Sequence, residues 1–455
     1  MKILTIDKTA FLKGMSHSVN TSSGFSPESV GIEVDRRGDL LGLLYPGRNP
    51  IESSANIADN IMASFLYYRN SALYYYSIGD AGKIYETNVI TKAHTVKDTD
   101  SKIYDKNSSI LVFNGRLKIA SQTDIYDDDF AFTVKDNDWW TNTLGKTALT
   151  AGVPHKLFDY HGVMMITNGN KIASWDNTTA NEAALTLPEG WIITDCLVDG
   201  LNIYISASLS KADYAMNTET RIFVWNGVST DYQREVVLDI PVITAMVKAE
   251  NGYILFSGRN MFIFDGYSYV WLRYIDQSPT FNQVKAIDGK IYFATFGAIA
   301  CYNTRLKIFT KPVSYGDVNN IITCLNIGYF DYIDFWSAVS TSAVGKFFRC
   351  TSNNSLSVFF SDIYSVGNIY IRNIEILFSQ PLPTNASYTL KVLDETSTSI
   401  KEITFNETGK MKLPKSAGDL LVSNFQIYLS FDNTSCVPVQ EIRIYYDTAD
   451  NITTK

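Results

Sequence analysis

The sequence predicts an all-β chain: a β-propeller of about seven four-stranded blades followed by a C-terminal β-sandwich. Three observations carry that prediction. First, turn glycines that introduce short apolar strands recur at Gly82, Gly115, Gly162, Gly200, Gly252, Gly289 and, more weakly, Gly328. Their gaps are 33, 47, 38, 52, 37 and 39 residues, with a mean of 41, which is the length of a four-stranded blade, about 40 to 50 residues. Second, Tyr and Phe together number 53, and aromatic side chains suit a pleated, packed surface. Third, the period fades after about Thr351 and the strands lengthen. Residues 1–28 are therefore set apart as an N-terminal extension, 29–360 as the propeller, 365–448 as the sandwich and 449–455 as a frayed tail.

The elements follow in order. Propellers close by pairing a strand from the N-terminal side into the last blade, and Ser29 to Gly47 is the candidate, paired near "GKFFRCTSNNSLSVFF". Ile51 to Arg69 reads as helix-like in its first half. Tyr74-Tyr75-Tyr76 reads as strand, with alternate rings facing a neighbouring blade. The clearest unit is "NGYILFSGRNMFIFDGYSYVWLR", Asn251 to Arg273. Asn-Gly and Asp-Gly are hairpin dipeptides because both central residues need positive φ, so the stretch reads as three strands of a meander. Its first two strands are apolar on both sides, and only covering neighbours can bury both faces. "VKAENGYILFSGRNMFIFDGYSYVWLR" and "VKAIDGKIYFATFGAIACYNTRLKIFT" match strand for strand. Polar insertions at "SKADYAMNTETRI" and "WDNTTANEAAL" map to loops on a ring face. In the C-terminal region, Tyr388 to Val392 and Ile442 to Tyr446 alternate as half-buried strands do.

Composition excludes several classes of function. Net charge is −8 with no basic patch, so no nucleic-acid footprint exists. No run of about 18 apolar residues spans a membrane. The N-terminus lacks the apolar core of a signal peptide, so the chain is read as made in a cytoplasm. Cys196, Cys301, Cys324, Cys350 and Cys436 lie far apart, without CxxC, and read as buried free thiols. His155 and His161 flank Asp159 without a metal-binding pattern, and no metal or other cofactor is expected. His161 precedes a turn glycine and reads as a turn residue. No G-x-S-x-G or P-loop ending appears. A propeller glycosidase would need paired carboxylates at the ring mouth. Glu86, Asp176, Glu182 and Asp334 are candidate acids, but nothing in the sequence pairs any two. The expectation is that the chain is not an enzyme.

The candidate surface contacts are Asp127, Asp128 and Asp129 with Trp139 and Trp140. The acidic stretch "DIYDDDFAFTVKDND" lacks the spacing of a Ca²⁺ loop and reads as a solvated connection between blades. Trp139-Trp140 follows it and is the pair expected at the surface, where exposed rings stack on sugars.

One resemblance bears on role. "SSGFSPESVGIEVDRRGDLLGLLYPGRNP" resembles the lead-in of β-propeller proteins in tailed-bacteriophage virions, on Gly24, Phe25, Pro27, Asp35, Gly38, Leu40, Pro46 and Gly47. "NFQIYLSFDNTSCVPVQEIRIYYDT" is similar to their closing sandwich hairpin. The resemblance implies a virion structural role in the tail, collar or fibre attachment, without catalytic residues. It implies other virion proteins as partners and a homo-oligomer or several copies per particle. A host surface glycan is the alternative partner.

Overall fold

The computed structural model describes residues 1–6, 32–34, 44–46, 49–52, 57–69, 72–100, 102–209, 219–295, 298–305, 308–314, 320–327, 333–339, 342–351, 357–360, 364–394, 396, 398–431 and 437–448. Two compact units divide the chain, one of residues 52–297 and 317–349, the other of 1–51, 298–316 and 350–455.

Seven four-stranded antiparallel sheets form the blades of a propeller. Blade 1 runs from Ile61–Arg69 to His94–Thr99 and blade 2 from Ser109–Phe113 to Lys135–Asp136. Blade 3 runs from Leu157–Tyr160 to Ala180–Thr186 and blade 4 from Trp191–Asp199 to Arg234–Leu238. Blade 5 runs from Ile243–Ala249 to Tyr269–Tyr274 and blade 6 from Val284–Ile287 to Ile308–Ser314. Blade 7 consists of Asn320–Ile327, Ile333–Val339 and Ser342–Thr351, with Asn49–Glu52 as its fourth strand. Adjacent blades pack through a first strand against the first or second strand of the neighbour, and the first strand of blade 7 packs against that of blade 1. The ring is therefore closed, and the two faces of each apolar meander are covered by its neighbours.

Burial between blades explains the Tyr-rich strand. Tyr75 and Tyr76 are both fully buried, on opposite faces of blade 1. Tyr75 meets Trp336 of blade 7 edge-on at 5.0 Å and donates to Asp334 Oδ2 at 2.7 Å. Tyr76 meets Phe130 and Phe132 of blade 2.

Several sequence expectations are corrected. Closure does use an N-terminal-side strand, but the strand is Asn49–Glu52, just beyond the expected segment. Within that segment, Ile32–Val34 and Leu44–Pro46 pair with each other, and Leu44–Pro46 pairs with Val439–Thr448 of the C-terminal sheet. The helix-like reading of the first half of Ile51 to Arg69 is not met where the structure describes it: Ile51 and Glu52 end a strand and residues 57–60 hold no helical turn, while residues 53–56 lie outside the described residues. Gly82 follows the second strand of its blade (Ala72–Gly79), not the first, which is why its gap to Gly115 is short. Asn251-Gly252 is not the turn either. Ala249 pairs with Gly252, so Glu250 and Asn251 turn and Gly252 opens the next strand. Asp265-Gly266 belongs to a longer loop, since Phe264 pairs with Tyr269. The two-residue turns with positive φ at both positions are Asn114-Gly115, His161-Gly162 and Asp288-Gly289.

A second repeat accompanies the turns. The first strands of blades 1, 4, 5 and 7 break register at Ile61/Ala63, Ile193/Asp195, Ile243/Ala245 and Ile322/Cys324. At the last three the extra residue is Thr194, Thr244 or Thr323. Each hydroxyl donates back across the ladder, to Ser206 O at 3.3 Å, Phe256 O at 3.4 Å and Trp336 O at 3.3 Å.

The C-terminal unit is a sandwich whose two layers share a strand. The first part of Lys412–Phe431 pairs with Tyr364–Phe378, and its last six residues pair with Tyr388–Leu393. Val439–Thr448 pairs with the other side of Tyr364–Phe378. The expected closing hairpin is thus two strands that flank a third. Lys2–Ile6, within the segment set apart as an extension, pairs with Val439–Thr448. One core of Ile371, Ile376, Leu390, Val392, Ile427, Ile442 and Ile444 fills the space between layers, and the alternation read from the sequence points those side chains inward. The four described cysteines, Cys196, Cys301, Cys324 and Cys350, are free and buried; Cys436 lies outside the described residues.

Candidate functional site

Asp127 and Asp128 lie on the third strand of blade 2, Ile125–Asp128, not on a solvated loop. Strand alternation sends neighbouring carboxylates to opposite faces. Asp127 is opposite Lys118 in the ladder. Its oxygens accept from Arg116 Nε at 2.9 and 2.8 Å and pair with Lys118 Nζ at 2.7 Å. Asp128, on the other face, takes a bond from Phe132 N and lies 3.3 Å from the Tyr126 hydroxyl. Burial pushes its carboxyl up to about 6. Asp129 caps the following turn, accepting from Ala131 N and the Thr133 hydroxyl.

The tryptophans are interior, which corrects the expectation of exposed rings. Trp139 is 5% and Trp140 1% exposed. They open a π-helical turn, Trp139–Thr143, held by the buried Asp124 carboxylate, which accepts Trp140 N at 3.0 Å. Trp139 meets Trp175 of blade 3 edge-on at 4.7 Å. The Lys118 ammonium sits 3.2 Å from the Trp139 ring centroid, and burial pushes its pKa down to about 8. Asp127, Trp139 and Trp140 are thus drawn into an internal ion and ring network around Lys118 between blades 2 and 3, while Asp128 lies on the other face of the strand and Asp129 caps the turn beyond it. Stacking on a sugar would require the rings to face water, and here they face protein.

The candidate acids are placed apart, and each has its own partners. Glu86 accepts from the Tyr76 hydroxyl and pairs with Lys97. Asp334 accepts from Tyr75. Asp176 caps the turn at Thr178 and Thr179. Glu182 accepts from Thr147 N. His155 is buried with Nδ1 on Ser121 O, and His161 occupies a hairpin turn at φ 52°.

Apart from Tyr68 of blade 1, the large rings exposed among the described residues lie on the outer edge of blade 5. Tyr267 is 75% exposed, Val270 61%, Trp271 49% and Tyr274 50%. All four fall on or beside the outermost strand, Tyr269–Tyr274. On the outermost strands of blades 1 and 4 the large apolar residues left exposed are Val96 and Val237. The blade 5 edge is also held rigid. Asp265 accepts from Tyr267 N and Ser268 N at 2.8 and 2.7 Å, fixing the loop that presents Tyr267. Arg234 stacks on the Tyr267 ring at 4.0 Å. Trp271 Nε1 donates to Asn260 Oδ1, and Arg259 donates to the Tyr274 hydroxyl, each at 3.0 Å. A register break opposite Met261 and Phe262 falls at Leu272, directly after the exposed Val270 and Trp271. Such a bulge re-aims side chains. The sequence holds the signal for this patch: once the strand order of the repeat is known, an aromatic outermost strand stands out.

No protein-family model matches the chain, and no curated protein matches it. Solved structures do. A chain titled as the mitotic checkpoint complex aligns at 11% identity over 73% of this chain and 99% of its own, with a TM-score of 0.46. BBS1N, in complex with ARL6DN, aligns at 11% identity over 66% of this chain and 96% of its own, with a TM-score of 0.44. A luciferin-regenerating enzyme aligns at 12% identity over 66% and 95%, with a TM-score of 0.39. The likeness is one of fold alone.

Proposed function

We propose that the chain is a rigid, non-catalytic interaction scaffold, a multi-copy structural component of a tailed-phage particle. It engages a neighbouring virion protein through the outer edge of blade 5. The observation that carries the docking role is the cluster of Tyr267, Val270, Trp271 and Tyr274, flanked by Arg234 and Arg259. Tyr, Trp and Arg are the residues enriched at protein interfaces and at their energetic centres. Hydrogen bonds already hold the Trp271 indole and the Tyr274 hydroxyl, and Arg234 stacks on Tyr267, so little side-chain freedom is left to lose on association. The outermost strand is also a sheet edge, and an aromatic edge is unusual where charges normally discourage pairing. The virion assignment rests on the sequence resemblance. Its lead-in residues lie outside the described residues except Pro46, which sits in the strand Leu44–Pro46.

Mass spectrometry of purified particles tests the assignment, and absence of the chain from them removes it. The docking role is tested with Trp271→Ser combined with Tyr267→Ser. The variant should keep the wild-type unfolding midpoint but fall at least about tenfold in incorporation, since truncating an interface anchor costs about 2 kcal/mol or more. Unchanged incorporation would remove blade 5 from the interface. A glycan is the second reading, favoured by the outward Trp271 ring beside Asn260 and Arg259. Saturable binding on a glycan array that vanishes in the same variant would establish it.

A further inference from the structure

In blades 1, 3, 4 and 5 the turn from the third to the fourth strand is built the same way. Asn88, Asp176, Asn226 or Asp265 opens it, and its Oδ1 accepts the amides two and three residues on at 2.7–3.0 Å. The residue held out by those two bonds is Ile90, Thr178, Val228 or Tyr267. Turns of this kind favour polar residues, yet Ile90 and Val228 are 76% and 84% exposed. The turn between the first and second strands lies at the same end of a blade, because successive strands reverse direction. In blade 4 that turn is Gly200-Leu201, since Asp199 pairs with Asn202, and Leu201 is 72% exposed.

The neighbouring blades lock the two tips of blade 4 together. The Tyr160 hydroxyl of blade 3 donates to Asn226 O at 2.6 Å and lies 2.9 Å from Leu201 O. A Cβ on Gly227 would strike the Tyr160 ring, and His161 Nε2 lies 3.0 Å from Gly200 O. From blade 5, the Tyr253 hydroxyl donates to Asp199 Oδ2 at 2.8 Å, and Lys248 pairs with the same carboxylate. Leu201 and Val228 are therefore fixed beside each other without being covered. Charge surrounds them. Along these turns of blades 3 to 5 the chain places Asp159, Asp176, Asp199, Asp231, Glu250 and Asp265. The cations flanking them are Lys248, which pairs with Asp199, and Arg234, which stacks on the Tyr267 ring. Carboxylates outnumber cations around an aliphatic pair, and such a surface selects a partner of the opposite charge.

We infer that this end of blades 3 to 5 is a second docking surface, for a basic and apolar segment of a partner protein. The apolar side chains of the segment rest on Leu201 and Val228, and its Lys or Arg side chains reach the surrounding carboxylates. The surface depends neither on the virion assignment nor on the outer edge of blade 5. That edge presents aromatic rings flanked by Arg234 and Arg259, so the two surfaces take partners of different chemistry, and one chain can join both.

The test selects a library of random linear peptides on the full chain and measures the Kd of the enriched peptides by calorimetry. The expected peptides carry a net positive charge, with aliphatic residues among their Lys and Arg. Leu201→Ser combined with Val228→Ser should weaken their binding by about tenfold or more at an unchanged unfolding midpoint. Asp159→Asn combined with Asp176→Asn keeps the acceptor oxygens of both turns, and it should weaken the binding and flatten its salt dependence. Trp271→Ser alters only the blade 5 edge and should leave the binding unchanged. Enriched peptides that are neutral or acidic overturn the surface, as does the absence of any enrichment, and both are read on the wild-type chain without a variant. Binding that survives Leu201→Ser with Val228→Ser but is lost in Trp271→Ser also overturns it and assigns the peptides to the blade 5 edge. Failure of this surface leaves the blade 5 reading to its own test by incorporation.

Discussion

The run Asp127-Asp128-Asp129 shows how one short motif takes three environments. Asp127 is held by Arg116 and Lys118. Asp129 is a turn cap. Asp128 is buried beside Tyr126, and burial raises its carboxyl to about 6, above the ordinary Asp value of about 3.9. The folded chain therefore binds more protons than the unfolded chain between about pH 4 and 6, and the Asp128 contribution falls as pH rises through that window. Asp128→Asn, which cannot ionise, should raise stability at pH 7 by about 1–3 kcal/mol. The gain should shrink as pH falls through 6 and vanish below about 4. Urea unfolding at pH 7, 5.5 and 3.8 checks this, and a gain independent of pH would refute it. Nothing in the sequence separates these three neighbours, because run length and charge are the same whether the segment is strand or loop. Only the ladder, with Lys118 opposite Asp127, decides which carboxylate is paired.

Turns and bulges set the blades. Gly252 opens its strand at φ 129°, and a Cβ there would strike the Phe264 carbonyl oxygen. Gly115 has φ 71° with open space around it. Gly115→Ala therefore meets only the backbone cost of a left-handed residue, about 1–2 kcal/mol. Gly252→Ala adds a backbone collision and should lose at least about 1 kcal/mol more. Paired unfolding curves test the order, and equal losses would show that the strand shifts to make room. The glycine repeat was legible because hairpin turns need particular residues. Its assignment slipped by a turn at Gly82 and by one residue at Gly252, since a glycine marks a tight place without saying which kind. The sequences Ile192-Ile193-Thr194, Val242-Ile243-Thr244 and Ile321-Ile322-Thr323 were a second, unused marker. Each places a threonine at the same bulge, bonded to the strand beside it.

Closure is a property of the whole ring. Blade 7 takes its last strand from Asn49–Glu52, far upstream in the chain, so ends that are distant in sequence are joined by a ladder. Replacing 49–52 with Gly-Ser-Gly-Ser should leave Ser342–Thr351 as an unprotected edge. Its amides should then exchange about 10- to 100-fold faster, as the loss of one or two net hydrogen bonds of about 1 kcal/mol each implies, while blade 4 keeps its protection. Uniform loss of protection would show instead that the ring opens as one unit. The sequence by itself determined the strand period, a ring of about seven blades and the change to a different sheet near residue 351, because turn chemistry and apolar runs are local and repeat. The tertiary structure decided which upstream strand closes the ring, that Trp139 and Trp140 are core, and that blade 5 exposes its rings. Those outcomes depend on which blades become neighbours, and burial by a neighbour hundreds of residues away leaves no mark on the residues it covers.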